Sequence, residues 1–221
     1  MNGDNQIHIH VTNDPVYMEN GLTVYVRDGG PCWIIDPGLP PQADKIVSHV
    51  REHSLTPQAV VLTHGHADHI AGLDDVLAEL GAMPVYLAKE EWAALSDPTF
   101  NLSAMTGVGF VTTVEDPIDL EHGDSLELDG TTWRILNTCG HSPGGRTLYC
   151  EALGIAIVGD ALFAGSVGRV DFPTSNGADL IANIRENLMT LPDDTRVICG
   201  HGPETTIGKE RTTNPFVLHG I

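Results

Sequence analysis

Thr63-His64-Gly65-His66-Ala67-Asp68-His69 packs three histidines and one carboxylate into seven residues. Imidazole and carboxylate are the ligands that borderline and hard divalent cations take. Four such groups this close together are hard to reconcile with packing alone, because each would have to be desolvated and satisfied at once. A polar surface turn is the plain alternative, and the flanking residues argue against it. Gln58–Leu62 is a short, β-branched apolar run that reads as a buried strand ending at the cluster. Ile70–Leu80 reads as a helix, with Leu73, Leu77 and Leu80 on one face and Gly81 as the stop. The motif is therefore expected in a strand-to-helix loop, where α/β folds place chemistry.

Three further donors follow strand-like segments. His141 lies in Thr138-Cys139-Gly140-His141-Ser142-Pro143-Gly144, after the strand Thr131–Thr138. Asp160 follows the apolar run Ile155–Val158, where helix capping is the other use for an acid. His201 sits in Cys199-Gly200-His201-Gly202-Pro203, after the strand Thr195–Cys199. Flanking glycines let backbone approach a ligand site closely. Five histidines and two aspartates exceed what one four-coordinate zinc can use, whereas two metals sharing a carboxylate can accommodate them.

The remaining segments read as two similar halves. Val16–Val26 and Pro31–Asp36 flank a hairpin turn at Asp28-Gly29-Gly30, and Gln42–Glu52 carries Ile46, Val47 and Val50 at helical spacing. Pro84–Leu87 reads as a strand, Lys89–Leu95 as a short helix and Ser96–Phe110 as a loop. Strands return at Ser125–Leu128, Thr131–Thr138, Arg146–Glu151 and Ile155–Val158, with a turn at Asp129-Gly130. Ala178–Leu191 is an amphipathic helix by pattern, and Thr206–Asn214 a last short one. Such an order predicts two sheets face to face with helices outside, in one domain over residues 1–221.

Composition narrows the function. A net charge of −19 disfavours nucleic acid and anionic membrane surfaces, both of which are bound through Lys and Arg. No apolar run is long enough to span a bilayer, and Met1–His10 lacks a basic-then-apolar leader pattern, so a cytoplasmic address is expected. Cys32, Cys139, Cys150 and Cys199 form no CxxC pair and read as buried, reduced thiols. Cys139 and Cys199 stand two residues before candidate ligands but are expected to be small filler. His8, His10 and His122 read as solvent-facing or turn residues, and Trp33, Trp92 and Trp133 as packing.

HxHxDH, a downstream histidine, an aspartate after an apolar strand and a final Gly-His occur here in that order. Together with Asp36-Pro37-Gly38 ahead of the motif, they resemble the metallo-β-lactamase superfamily over nearly the whole chain. The resemblance implies an α/β fold, a four-layer αββα sandwich with metals at one edge of the two sheets. It implies His64, His66 and His141 on a first metal, Asp68, His69 and His201 on a second, and Asp160 bridging both. Asp36 would orient the ligands from behind.

Within the superfamily the chain looks most like glyoxalase II (hydroxyacylglutathione hydrolase) in its short bacterial form. Gly159–Phe163, Gly168–Pro173 and Gly200–Arg211 carry that likeness. It implies a thioesterase for substrates such as S-lactoylglutathione, using a hydroxide held between two divalent metals. Zinc is expected, with iron or manganese as alternatives. Asp68 would be the catalytic proton acceptor and Arg169 a substrate contact. Two departures bear on the substrate: Arg169 and Asp171 stand where glyoxalase II has a Lys and a Tyr for glutathione, and the chain stops at Ile221, short of the C-terminal helical domain. An aspartate at the bridging position argues against a β-lactamase proper. Rival readings are an iron persulfide dioxygenase using only His64, His141 and Asp160, a hydrolase of another ester or lactone, and a non-enzymatic metal-binding protein. A small molecule is the expected partner, and the oligomeric state is open.

Overall fold

A computed structural model describes residues 7–221; the first six residues, part of the segment read for a leader, lie outside the described residues. The first half runs β1 (His8–Asn13), β2 (Asn20–Tyr25), β3 (Pro31–Ile35), α1 (Pro40–Glu52), β4 (Thr56–Val61), α2 (Ala67–Ile70), α3 (Leu73–Leu80) and β5 (Val85–Tyr86). The second half contributes β6 (Ser125–Leu128), β7 (Thr131–Asn137), β8 (Arg146–Cys150), β9 (Ile155–Gly159) and the small hairpin β10 (Leu162–Phe163) with β11 (Ser166–Val167). It closes with α4 (Gly177–Asn183), β12 (Arg196–Cys199), β13 (Thr205–Thr206), α5 (Ile207–Thr213) and α6 (Pro215–His219). One sheet is ordered β1-β2-β3-β4-β5 and the other β13-β12-β9-β8-β7-β6.

Side chains alternate across a strand, and here each face of the central strands meets a different core. Trp33 and Ile35 of β3 join a cluster with Ile155 and Ile157 of β9, between the sheets. The intervening Cys32 and Ile34 pack outward under α1 and α3, and Ala156 and Val158 pack outward under α4. Strands apolar on both faces require cover on both faces, which gives helix, sheet, sheet, helix. This is the four-layer α/β arrangement anticipated from the sequence. Trp33 and Trp133 meet edge-to-face across the middle at 6.2 Å between ring centroids.

Strand direction sets where the chemistry can lie. β3 and β4 run parallel in the first sheet. In the second, β9 and β12 are parallel, and β7 shares their direction because two antiparallel steps separate it from β9. The loops after all five emerge at one edge. Backbone clasps join the sheets there: Asn20 donates from its backbone to Gly200 O at 2.8 Å and from its side chain to Cys199 O and Gly202 O at 2.9 Å, and Arg146 N donates to Thr63 O at 2.9 Å.

The helix expected over Ile70–Leu80 is broken. α2 begins earlier, at Ala67, and α3 restarts at Leu73. Gly72 lies at the break, where its N–H donates to Gly38 O at 2.6 Å. A Cβ there would meet Ala43 Cβ at 2.8 Å and Pro37 O at 3.0 Å, so glycine permits the close approach to Asp36-Pro37-Gly38. The Ala178–Leu191 helix is α4 followed by one wider turn over Ile184–Leu188. The Val16–Val26 strand starts only at Asn20, because Asp14 caps a turn ahead of it, accepting from Val16 N at 2.9 Å. Lys89–Leu95 is a 3-10 helix, and Ser103–Thr106 forms another inside the expected loop. Among the described residues, no helix is long and apolar enough to cross a membrane.

Trp133 is fully buried between the sheets. Trp133→Ala is expected to cost about 3–5 kcal/mol of stability, read by chemical denaturation; a loss below about 1 kcal/mol would contradict this packing.

Candidate metal centre

Every candidate ligand lies just past the C-terminal end of a strand. β4 delivers Thr63–His69, β7 delivers His141, β9 delivers Asp160 and β12 delivers His201. Only the first part of the motif, Thr63 to His66, is loop, since Ala67, Asp68 and His69 ride on α2.

The seven residues converge. His66 Nδ1 lies 3.1 Å from His64 Nε2 and 2.9 Å from His141 Nε2. Asp68, His69 and His201 form a second group, with His201 Nε2 3.3 Å from both His69 Nε2 and Asp68 Oδ2. Asp160 stands between the two. Its Oδ1 is 3.3 Å from His69 Nε2, and its Oδ2 is 3.4 Å from both His141 Nε2 and His201 Nε2. Gly200 makes room for it, because a Cβ there would collide with Asp160 Oδ1.

The far side of each ring explains why the near side is free. His141 Nδ1 donates to Arg169 O and His201 Nδ1 to Tyr17 O, both at 2.8 Å, since carbonyls only accept. Thr63 Oγ1 donates to Asp36 Oδ2 at 2.6 Å, so His64 Nδ1 must donate to that hydroxyl at 3.1 Å. His69 Nδ1 bonds Asp36 Oδ2 at 3.0 Å, and Thr63 N donates to Asp36 Oδ1 at 2.8 Å. Asp36 holds these contacts from a left-handed backbone, φ 47°, which costs a non-glycine residue about 1–3 kcal/mol. Four rings thus turn Nε2 inward, in the manner of metal-ligating histidines. His66 turns Nδ1 inward instead.

Charge confirms the crowding. Burial, then the neighbouring His141, pushes His66 down to about 3. Burial opposes the charge on His201, yet hydrogen bonds to Asp160 and Asp68 raise it to about 10. Burial also opposes His69, but Asp160 and Asp68 lift it well above the usual imidazole range. Asp160 is held well below the usual carboxylate range by His69 and His201 against its burial, and its buried Oδ1 makes no hydrogen bond. Bound protons here supply positive charge that the donor set demands. Nitrogen and carboxylate donors in two groups, with one unsatisfied carboxylate oxygen between them, fit two divalent cations.

Two buried acids went unread in the sequence. Glu91 is 1% exposed; its Oε1 accepts from Gly144 N at 2.6 Å and its Oε2 from Gly65 N at 3.3 Å. One carboxylate therefore ties the His64-Gly65-His66 turn to the His141–Gly144 turn. Nothing in Lys89-Glu90-Glu91-Trp92 marks it, because its partners are backbone groups distant in sequence. Glu19 is fully buried, with Oε1 3.7 Å from His69 Nδ1 and Oε2 bonded to Gln42. An acid inside a stretch read as strand was its available signal. Cys199 packs in the outer core as filler and is pushed up to about 12 by burial. Cys139 accepts from Asn183 Nδ2 at 3.2 Å, and neither thiol joins a ligand group among the described residues. Arg169 is exposed and already paired: Asp171 takes its Nε at 2.9 Å and its Nη2 at 2.8 Å, and the guanidinium lies 4.7 Å from the Phe172 ring centroid. A cavity of about 640 Å³ opens over the ligands, with Asp68, Asp160 and His201 at its floor and Arg169 in its wall.

The chain is similar to known proteins over most of its length. The metallo-beta-lactamase superfamily matches residues 17–201. A probable metallo-hydrolase of Bacillus subtilis, YqgX, is 41% identical over 84% of this chain and 87% of that protein. The hydroxyacylglutathione hydrolase GloC of Haemophilus influenzae is 34% identical over 83% of this chain and 86% of its own length. The crystal structure of BLEG-1, a B3 metallo-β-lactamase, superposes with a TM-score of 0.87 at 34% identity, covering 96% of this chain and 99% of that one. TTHA1623 in a di-iron-bound form superposes with a TM-score of 0.80 at 34% identity, covering 94% and 99%.

Two outcomes test this centre. Asp160 and Asp68 raise both His69 and His201 above the usual imidazole range without metal, and ligation needs both imidazoles neutral. Metal binding at pH 7 is expected to release about two protons per chain, read by titration calorimetry in buffers of differing ionisation enthalpy; no release would contradict it. The sign for stability follows: the raised pKa of His201 favours the folded metal-free chain fully below pH 6.5 and is lost as pH climbs through about 10. Glu91→Gln places an amide N–H against a backbone N–H. It is expected to weaken metal binding at the His64, His66 and His141 group by roughly 10–100-fold, with the second group less affected, as read by chelator competition.

Proposed function

The chain belongs to the metallo-β-lactamase superfamily, and we propose that its metal centre hydrolyses thioesters of the class that includes S-lactoylglutathione. It is a metal-dependent hydrolase of that superfamily, with a histidine-rich site. The carrying observation is Asp160 on the floor of a cavity, its Oδ1 beside His69 and its Oδ2 equally near His141 of one donor group and His201 of the other. Similarity to GloC supports the thioester class.

We assign His64, His66 and His141 to one cation, Asp68, His69 and His201 to the other, and Asp160 to both, with Asp36 as the orienting carboxylate. Cations held there supply Lewis acidity, which acidifies water and polarises a carbonyl. The chain's own groups do the rest. In this reading the thioester carbonyl sits over Asp160, which lines the cavity. Asp68, held below the usual carboxylate range by His69 and His201 against its burial, stays ionised and takes the proton from water as it adds to the carbonyl. The C–O bond forms first, collapse of the tetrahedral adduct then breaks the acyl C–S bond, and the proton ends on the thiol. A thiolate leaves readily, so no strong general acid is required. Zinc is our expected metal, and the di-iron form of TTHA1623 makes iron the alternative to measure. The dioxygenase reading needs only His64, His141 and Asp160, and leaves four converging donors unused. The likeness to BLEG-1 makes a β-lactam the second substrate to assay. We further propose a single domain over residues 1–221 in the cytoplasm, acting on a small molecule and not on nucleic acid or membrane.

Metal-loaded protein is expected to hydrolyse S-lactoylglutathione faster than a chromogenic cephalosporin. Asp160→Asn is expected to lower kcat on the order of 10²–10³-fold. Absence of thioester turnover by fully metallated protein would overturn this reading.

A further inference from the structure

The cavity wall carries a second message. Leu39, Leu102, Met105, Phe110, Phe163 and Phe172 line it, and Arg169 is the only Lys or Arg among its lining residues. Asp171 already engages one edge of that guanidinium, through Nε and Nη2, and the group lies over Phe172. The wall's one guanidinium is therefore already charge-matched, in a chain whose net charge is −19. At about 640 Å³ the space lies within the range that encloses a whole drug-sized ligand, roughly 300–1,000 Å³. A three-carbon hydroxyacyl group would leave most of this apolar surface to the thiol half, and these side chains match a hydrocarbon better than a charged tripeptide. Met105 and Val108 are 71% and 75% exposed on the segment bordering the mouth, a further apolar area that a ligand would shield from water.

Resting on the thioester reading above, we infer that the acyl group this cavity takes is an extended, uncharged hydrocarbon chain. The carbonyl sits over Asp160, and the chain runs along the wall built by the 99–110 segment and by Phe163 and Phe172. Specificity then comes from apolar burial, which grows with each methylene, and not from ion pairing to the thiol half. Water adds to the acyl carbon, the C–S bond breaks, and a fatty carboxylic acid and a free thiol leave.

The test separates binding from turnover. S-octylglutathione and S-methylglutathione share one tripeptide, differ only in the chain placed at the acyl position, and are thioethers that cannot be hydrolysed. Calorimetric titration of metal-loaded protein is expected to give at least a tenfold lower Kd for the octyl compound. Met105→Glu, a change at an exposed position, is expected to shrink that ratio at least threefold. Equal affinities, or a ratio that Met105→Glu leaves untouched, would overturn the inference. A parallel assay compares S-octanoylglutathione with S-lactoylglutathione: a higher kcat/KM for the octanoyl thioester supports the inference, and a higher value for the lactoyl thioester counts against it. If neither is turned over while the binding ratio holds, the apolar site stands and the hydrolase reading falls.

Discussion

His64 Nε2 and His141 Nε2 each lie within 3.1 Å of His66 Nδ1, while the protons of the first two rings are committed to Thr63 and Arg169. His66 Nδ1 can offer at most one proton to these two lone pairs, so one of them is left unmatched away from water. Beside them Asp160, Asp68, His69 and His201 reach a truce only because two of the rings carry protons. Buried negative and lone-pair density of this kind calls for positive charge at its centre. Much of the surrounding structure follows from holding it in place.

The two sheets meet that demand by dividing it. The first sheet brings His64, His66, Asp68 and His69 on one turn, and the second brings His141, Asp160 and His201 from three strand ends. Neither sheet alone makes a complete site. The clasp of Asn20 on Cys199 O and Gly202 O and the carboxylate of Glu91 between Gly65 N and Gly144 N register one sheet against the other where the donors cross. The inter-sheet core around Trp33 and Trp133 supplies the apolar burial behind them. Strained Asp36 and the close approach of Gly72 to Gly38 belong to the same design, because both fix the path into α2 and thus the position of His69.

Much of this was legible in the sequence because local patterns carry it. Thr63–His69, Asp160 and His201 each follow an apolar strand, and strands such as β9 are apolar on both faces, which points to two sheets covered by helices. What stayed hidden depends on distant partners. Glu91 looks like one charge in a solvated run until two backbone N–H groups from other turns close on it. The break at Gly72 answers to the backbone of Pro37 and Gly38, outside the helical pattern. The β10–β11 hairpin has two-residue strands, too short for any alternation to show. Arg169 draws the eye by its charge alone; Asp171, two residues on, lies near enough to pair with it, and under the inference above the apolar wall carries the recognition.

The central claim is that two cations share Asp160. Crystals of the metal-loaded protein, with anomalous diffraction collected at the zinc and iron edges, test it most directly. The account predicts two peaks flanking the Asp160 carboxylate, one among His64, His66 and His141 and one among Asp68, His69 and His201. A single peak held by His64, His141 and Asp160, with the second group empty, would contradict it.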